Sequence, residues 1–136
     1  MNTIPLAARP EPGPTIYEKA GGPETFFKLA AHFYDAVAHD AVLRPHYPAD
    51  LSDNAWWLAL FLIQYCGGPD DYSRQKGHPR LRMRHAPFKI GVAERDAWVN
   101  NMRRAVEAHV ENEEVKAYLL DYFERTATFL INVKED

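Results

Sequence analysis

The chain has 136 residues and a mass of 15.6 kDa, which is the size of one folded domain. Its net charge of −3 argues against a general nucleic-acid binder, and its single cysteine, Cys66, excludes an internal disulfide and a multi-cysteine zinc site. No stretch approaches the roughly 18 to 20 apolar residues of a membrane span, and no signal-peptide pattern is present, so we expect a cytoplasmic protein.

The N-terminal region divides into a proline-rich stretch and the start of a folded domain. Residues 1–14 contain four prolines and no apolar periodicity, which predicts a flexible arm ahead of one domain over residues 15–136. A short helix is predicted around Thr15 to Ala20. Gly-Gly-Pro at positions 21–23 then predicts a break between helices, because glycine ends a helix readily and proline fits the first turn of the next.

Two helices are predicted in the first half of the chain. Apolar residues recur every three or four positions from Phe26 to about His39, and one further turn is expected before Pro45. The second helix should have Ser52 or Asp53 as its N-cap and reach Cys66. Apolar residues surround most of this second helix, which indicates that it lies between other elements.

The second half of the chain predicts a loop followed by helices. Residues 70–80 show no clear periodicity and indicate a long ordered loop or a few weak turns, while Arg80 to His85 fits one or two helical turns before Pro87. Long helices are predicted over Ala93–His109 and Glu113–Asn132, and no segment alternates like a strand, so the fold class is all-α. The buried side of the last helix is predicted to hold Tyr118, Leu119, Tyr122, Phe123, Thr126, Phe129 and Leu130.

A basic run between residues 74 and 89 has two interpretations. It contains six cationic and no acidic side chains, namely Arg74, Lys76, Arg80, Arg82, Arg84 and Lys89. It is either a solvated loop or the rim of a pocket for an anionic ligand, since arginine and lysine pair with carboxylates and phosphates. The histidines at 78 and 85 lack an HExxH motif or a cysteine partner, and Cys66 is expected to be a buried, inert thiol.

Aromatic residues make up 12% of the chain and could form the walls of an apolar cavity. Candidate walls are the helical faces over residues 26–37 and 58–65, together with the face from Trp98 to Met102. A cavity of this kind suits a flat apolar ligand with anionic edges, such as haem, and Met102 is one predicted contact. The alternative is a conventional core, which is the more common use of aromatic residues at helical spacing.

The strongest sequence pattern runs from Gly77 to Phe88, Gly-His-Pro-Arg-Leu-Arg-Met-Arg-His-Ala-Pro-Phe, and is followed by Glu-Arg-Asp-Ala-Trp at 94–98. Together with Gly21-Gly22, Phe26-Phe27, Phe33-Tyr34, Tyr47-Pro48, Gln64-Tyr65 and Gly67-Gly68-Pro69, it resembles the group II (O-type) truncated haemoglobins of bacteria. The resemblance extends from about Ile16 to Val133. It implies a truncated globin fold, a two-over-two helical sandwich that encloses haem b, iron protoporphyrin IX.

The resemblance also implies roles for individual residues on the two sides of the haem. His85 would be the proximal iron ligand, with its other ring nitrogen bonded to a backbone carbonyl. Tyr72 and Arg84 match positions that hold the haem propionates, and Arg82 is a further candidate. The gas-binding side would contain a hydrogen-bonding cluster and two apolar neighbours, namely Tyr34, Tyr47 and Trp98 with Leu58 and Phe61.

Three positions depart from the family pattern. The connection after Tyr47 is about one residue shorter than usual, so the assignment of Asn54 to the distal gate depends on the register. Trp57 stands where a basic residue is common, and Cys66 replaces a usual aromatic residue.

The implied function is reversible binding of O2, and of CO and NO, for sensing or detoxification rather than bulk storage. The alternatives are a peroxidase-like or NO-detoxifying haem enzyme with a separate reductase, and a haem-free anion-binding module that uses the basic run. A homodimer is one possible assembly.

Overall fold

A computed structural model describes residues 13–133 of the protein, and within that range all regular secondary structure is helical. The helices are α1 (Ile16–Lys19), α2 (Pro23–Val37), α3 (Ser52–Tyr65), α4 (Asp71–Lys76), α5 (Leu81–His85), α6 (Val92–His109) and α7 (Glu113–Phe129). The predicted arm over residues 1–14 lies outside the described residues except for its last two positions. None of the described helices is long and apolar enough to cross a membrane.

The predicted break between α1 and α2 is confirmed. The Thr15 side chain caps α1 by accepting a hydrogen bond from the Glu18 N–H at 3.1 Å. Gly21 has φ +102° and Gly22 has φ +82°, and side chains rarely tolerate this backbone conformation. Pro23 then occupies the first turn of α2, where its missing N–H costs no helical hydrogen bond.

The predicted N-cap of α3 is wrong by one or two residues. The helix begins at Ser52, and its N-cap is Leu51, whose side chain makes no capping hydrogen bond. The Asp50 carboxylate accepts hydrogen bonds from the Ser52 N–H at 2.9 Å and from the Ser52 hydroxyl at 2.6 Å. The side chain that organises this helix start therefore lies before the helix, and Ser52 is a donor to it.

Arg44 holds the connection between α2 and α3. Its guanidinium donates hydrogen bonds to the carbonyls of Tyr47, Pro48 and Ala49 at 3.0–3.2 Å. Pro45, which we predicted to stop a turn, instead lies inside a short 3-10 helix over Arg44–His46. Because one side chain binds three carbonyls, the backbone of this irregular segment, which includes Tyr47, is held in one conformation.

The core lies where α2 packs against α3 and α6, and where α6 packs against α7. This arrangement confirms the predicted all-α sandwich of two helix pairs. The largest fully buried side chains come from all four helices and include Phe26, Phe33, Leu62, Met102, Leu119 and Phe123. The predicted buried face of α7 is partly wrong, because Tyr118 is 38% and Phe129 is 56% exposed. The buried stripe is centred on Val115, Leu119, Tyr122, Phe123 and Ala127.

The predicted loop over residues 70–80 contains α4. Gln64 of α3 holds this helix, because its side-chain amide donates to the Ser73 hydroxyl at 2.7 Å and accepts from the Ser73 N–H at 2.9 Å. Six residues are too short for a helical period to show in the sequence. The hydrogen bonds to α3 therefore stabilise a helix that the local sequence alone does not predict, and they bring Tyr72 and Lys76 beside α3.

Candidate functional site

A cavity of about 650 Å³ lies between the helices and has the volume typical of small-molecule and cofactor sites. Every helix from α2 to α7 contributes to its lining, as does the connection before α3. Eight of the ten residues that the sequence predicted as haem contacts line this cavity: Tyr34, Tyr47, Leu58, Phe61, Tyr72, Arg84, His85 and Trp98.

The other two predicted contacts, Arg82 and Met102, do not line the cavity. Met102 is fully buried in the core between helices. The Arg82 guanidinium carbon lies 5.2 Å from the centre of the exposed Phe129 ring. Residues two apart on a helix point in different directions, and Arg82 lies against Phe129 while Arg84 lines the cavity.

His85 is the last residue of α5, and one of its ring nitrogens is bound to the backbone. Its Nδ1 lies 2.7 Å from the Leu81 carbonyl oxygen, so Nδ1–H donates to that carbonyl, and the lone pair of the neutral ring is on Nε2. This is the predicted hydrogen bond. It fixes the tautomer and the ring orientation, and it leaves a nitrogen lone pair on a residue that lines the cavity.

The segment that carries His85 is held by the end of the described chain. The Asn132 side-chain amide donates to the carbonyls of Phe88 at 2.7 Å and His85 at 3.3 Å, and its oxygen accepts from the Ile90 N–H at 2.8 Å. Arg80, just before α5, has φ +46° in the left-handed region. A five-residue helix could not hold an imidazole in place alone, so these distant bonds set its position.

A second histidine, His46, also lines the cavity. Sequence reasoning missed it, because it lies in a 3-10 turn and no helical periodicity or motif distinguishes it. The signal available was its position directly before Tyr47. The cavity lining therefore offers two imidazoles as candidate metal ligands, His46 and His85.

Tyr34, Tyr47 and Trp98 are brought together on the α2 and α6 side of the cavity. The rings of Tyr34 and Tyr47 meet edge to face with centroids 5.5 Å apart, and Trp98 packs against Phe33 at 5.7 Å and Phe123 at 5.5 Å. The resemblance named these three residues together, although they are up to 64 positions apart in the chain (34 to 98).

Burial keeps both phenols of this cluster in the neutral form that donates hydrogen bonds. It raises the pKa of Tyr47 to about 12, and the nearby Trp98 indole and Tyr34 hydroxyl oppose that rise. The pKa of Tyr34 is raised further, by burial first and then by the neighbouring Tyr47. The Asn54 side chain lines the cavity beside Tyr34 and opposes that rise in pKa.

Side chains of the basic run differ in where they lie. Arg74 is exposed and pairs with Asp70 at 2.9 Å and with Asp71, so for this residue the solvated interpretation is correct. Lys76 and Arg84 line the cavity, and the Arg84 guanidinium donates to the Lys76 carbonyl at 3.3 Å. Burial and the charge of Arg84 both lower the pKa of Lys76. An anionic group at this edge would relieve the repulsion between the two cations.

The donor set therefore fits haem. Apolar walls suit the porphyrin ring, the adjacent cations Lys76 and Arg84 suit its carboxylates, and the free nitrogen of His85 suits its iron. Trp57, where the resemblance led us to expect a basic residue, lies under the Lys76 ammonium at 4.4 Å from the ring centroid. The cation at this edge therefore comes from α4.

The chain matches the family described as "Bacterial-like globin" over residues 15–132. It is 40% identical over 118 residues to the group 2 truncated hemoglobin YjbI of Bacillus subtilis (strain 168), a match that covers 86% of this chain and 89% of that protein. It is 31% identical to two-on-two hemoglobin-3 of Arabidopsis thaliana, with 85% and 68% covered.

Solved structures give the same result. The hemoglobin of the thermophilic phototrophic bacterium Chloroflexus aurantiacus superposes with a TM-score of 0.87 at 45% identity, covering 89% of this chain and all of that one. A thermostable hemoglobin of the actinobacterium Thermobifida fusca superposes with a TM-score of 0.86 at 48% identity, covering 90% of this chain and all of that one.

Proposed function

Because this chain belongs to the bacterial-like globin family, among the group 2 truncated haemoglobins, we propose that it binds haem b through His85 and holds a diatomic gas beside Tyr34, Tyr47 and Trp98. One observation carries the proposal. A single cavity is lined by an imidazole whose Nδ1 is committed to a backbone carbonyl and by a cluster of neutral hydrogen-bond donors.

The proximal assignment rests on the hydrogen bond of His85. A ligating imidazole coordinates through one nitrogen and donates a hydrogen bond through the other, which orients the ring and makes it a stronger ligand. The 2.7 Å contact between His85 Nδ1 and the Leu81 carbonyl supplies that second bond. Lys76 and Arg84 would hold the propionates by charge, and Tyr72, which is 6% exposed, would contact the same edge.

The gas-binding assignment rests on neutral donors in a site of low polarity. Haem iron supplies the position at which O2, CO or NO binds. Tyr34, Tyr47 and Trp98 would donate hydrogen bonds to the partial negative charge of the gas, and such bonds are stronger where water is excluded. Several donors slow the release of the gas, which favours sensing or detoxification over bulk storage.

The test is a titration of the apoprotein with haemin to beyond one equivalent, followed by reduction and addition of CO. The wild-type chain should develop a Soret band that saturates at one haem per chain and shifts at each step. His85→Ala should lose the ferrous-CO spectrum of a histidine-ligated haem, and added imidazole should restore it if the variant is folded. Far-UV circular dichroism checks the fold.

The matched control is His46→Ala, which removes the other histidine of the cavity lining. It should keep the wild-type spectrum. The assignment of His85 as the iron ligand would be contradicted by an unchanged ferrous-CO spectrum in His85→Ala. It would also be contradicted if only His46→Ala lost that spectrum. A Soret band that keeps the position and width of free haemin throughout the wild-type titration would refute haem binding itself.

A further inference from the structure

A continuous series of aromatic rings leads from the cavity to the protein surface. The Trp98 and Phe123 ring centroids are 5.5 Å apart, and those of Phe123 and Tyr122 are 5.8 Å apart. Tyr122 stacks on Tyr65 at 3.9 Å with 30° between the ring planes, and Tyr65 lies 5.9 Å from Tyr118. We refer to these five residues as the aromatic chain.

The two ends of the aromatic chain lie in different surroundings. Trp98, Phe123 and Tyr122 line the cavity. Tyr65 and Tyr118 are 37% and 38% exposed and stand at the surface between α3 and α7. Tyr122 is therefore one ring contact away from a phenol that reaches solvent.

We propose that the aromatic chain transfers single electrons from Tyr65 and Tyr118 at the surface to the cavity when hydrogen peroxide is reduced there. The inference rests on the proposed function, since the cavity must hold haem for peroxide to be consumed in it. The exposed phenols are then the site at which soluble one-electron donors, such as small phenols, return the electrons.

The electrons and protons of this reaction balance. Hydrogen peroxide takes up two electrons and two protons, its O–O bond breaks, and two water molecules form. Each oxidised tyrosine gives one electron to the aromatic chain and its phenol proton to solvent, which leaves a neutral tyrosyl radical. Without another donor, two such radicals join by a carbon–carbon bond, so that two tyrosines and one peroxide give one dityrosine and two waters.

Proton release favours the exposed end of the aromatic chain. Oxidation of a phenol to a neutral radical requires its proton to leave, and Tyr65 and Tyr118 reach water that can accept it. The hydroxyls of Tyr34 and Tyr47 belong to the cavity instead. Arg125 lies beside Tyr65, but its charge is paired with the Asp121 carboxylate at 2.8 Å.

A second series of rings is less suited to carrying a positive charge. Phe61 contacts Tyr72 at 5.5 Å, and Tyr72 contacts Trp57 at 5.9 Å. The Lys76 ammonium lies 4.4 Å from the centre of the Trp57 ring. A cation at that distance opposes removal of an electron from the indole, so oxidation should follow the branch to Tyr65.

The experiment uses the haem-loaded full chain, with its absorbance spectrum recorded first, and then hydrogen peroxide without an added donor. The readouts are the tyrosyl signal in freeze-quenched electron paramagnetic resonance, dityrosine fluorescence, and oxidised residues mapped by mass spectrometry. Oxidation of the wild type should concentrate on Tyr65 and Tyr118. Tyr65→Phe should lose most of the dityrosine, whereas Tyr17→Phe, a part-buried tyrosine stacked on Phe26, should match the wild type.

Tyr122→Phe separates conduction from simple exposure. It replaces the oxidisable ring between Trp98 and Tyr65 by phenylalanine, which does not give up an electron under these conditions, and it leaves Tyr65 and Tyr118 at the surface. Its haem content and spectrum are recorded first, so that oxidation is compared per bound haem; oxidation of the surface pair should be lost, and damage should shift to Trp98. The inference would be overturned by full oxidation of Tyr65 in Tyr122→Phe or by undiminished dityrosine in Tyr65→Phe. Either result, obtained with the haem spectrum present in the wild type, would leave the proposed function intact. A chain without a haem spectrum would refute both.

Discussion

Replacement of Trp98 by phenylalanine tests the hydrogen-bonding cluster most directly. The substitution keeps an aromatic ring against Phe33 and Phe123, whose centroids lie 5.7 and 5.5 Å from that of Trp98, and it removes the indole N–H. The proposed role therefore predicts faster release of O2 from the reduced, haem-loaded protein. The fold should be retained, because neither packing partner changes.

The size of the effect follows from the donors that remain. A hydrogen bond to a charged or partly charged acceptor contributes about 1.5–3 kcal/mol, which corresponds to about 10- to 150-fold in a rate of dissociation. Tyr34 and Tyr47 also line the cavity and remain as donors in the variant, so they compensate for part of the loss. We therefore expect Trp98→Phe to lie near the lower end, about tenfold faster.

Stopped-flow displacement of O2 by excess CO measures this rate. Trp56→Phe is the matched control, because Trp56 is 50% exposed and packs on Phe27. Release of CO should change much less than release of O2, since CO carries less negative charge. An unchanged O2 rate in Trp98→Phe would remove Trp98 from the donor set, and equal acceleration for O2 and CO would indicate lost packing instead.

Two predictions concern stability. Met102→Ala should lower the free energy of unfolding by about 2–5 kcal/mol in a denaturant titration and leave the haem spectrum unchanged; a changed spectrum at wild-type stability would restore Met102 as a haem contact. Burial, His32 and Lys28 lower the pKa of His109, whose Nε2 lies 3.1 Å from His32 Nδ1. In the unfolded chain the histidine pKa is about 6.5, so the unfolded chain binds a proton at His109 more readily than the folded one. The contribution of neutral His109 to the free energy of unfolding is therefore complete above pH 6.5 and is lost as the pH falls through the pKa of the folded state. His109→Gln should flatten the decline in unfolding free energy below pH 6.5, and an identical decline in wild type and variant would contradict this reasoning.

The long helices were predictable because the residues within each of them already show its apolar periodicity. Apolar residues at helical spacing indicated α2, α6 and α7, and the glycine and proline residues at 21–23 marked a boundary that local backbone energetics determine. The motif around His85 also singled out the residue whose Nδ1 is bound to a carbonyl. These signals are local, so no neighbouring element is needed to interpret them.

The errors share a different cause. Periodicity shows that a face is apolar without showing what covers it, so Met102 was predicted at the cavity and lies in the core, while Phe129 was predicted buried and is exposed. Arg82 and Arg84 carry the same charge two residues apart, and only the direction of α5 separates them. His46 had no signal except its position directly before Tyr47, and only the folded chain shows that it lines the cavity.

The sequence by itself determined an all-α chain of one domain, its main helices, and a family pattern centred on His85. Only the tertiary structure decided which basic side chains face the cavity, that α4 places Lys76 over Trp57, and that Tyr122 stacks on Tyr65. The physical reason is that helix formation and backbone breaks are set by neighbouring residues, whereas a cavity and a series of rings arise from side chains on different helices. Their relative positions depend on helix packing, which no single segment encodes.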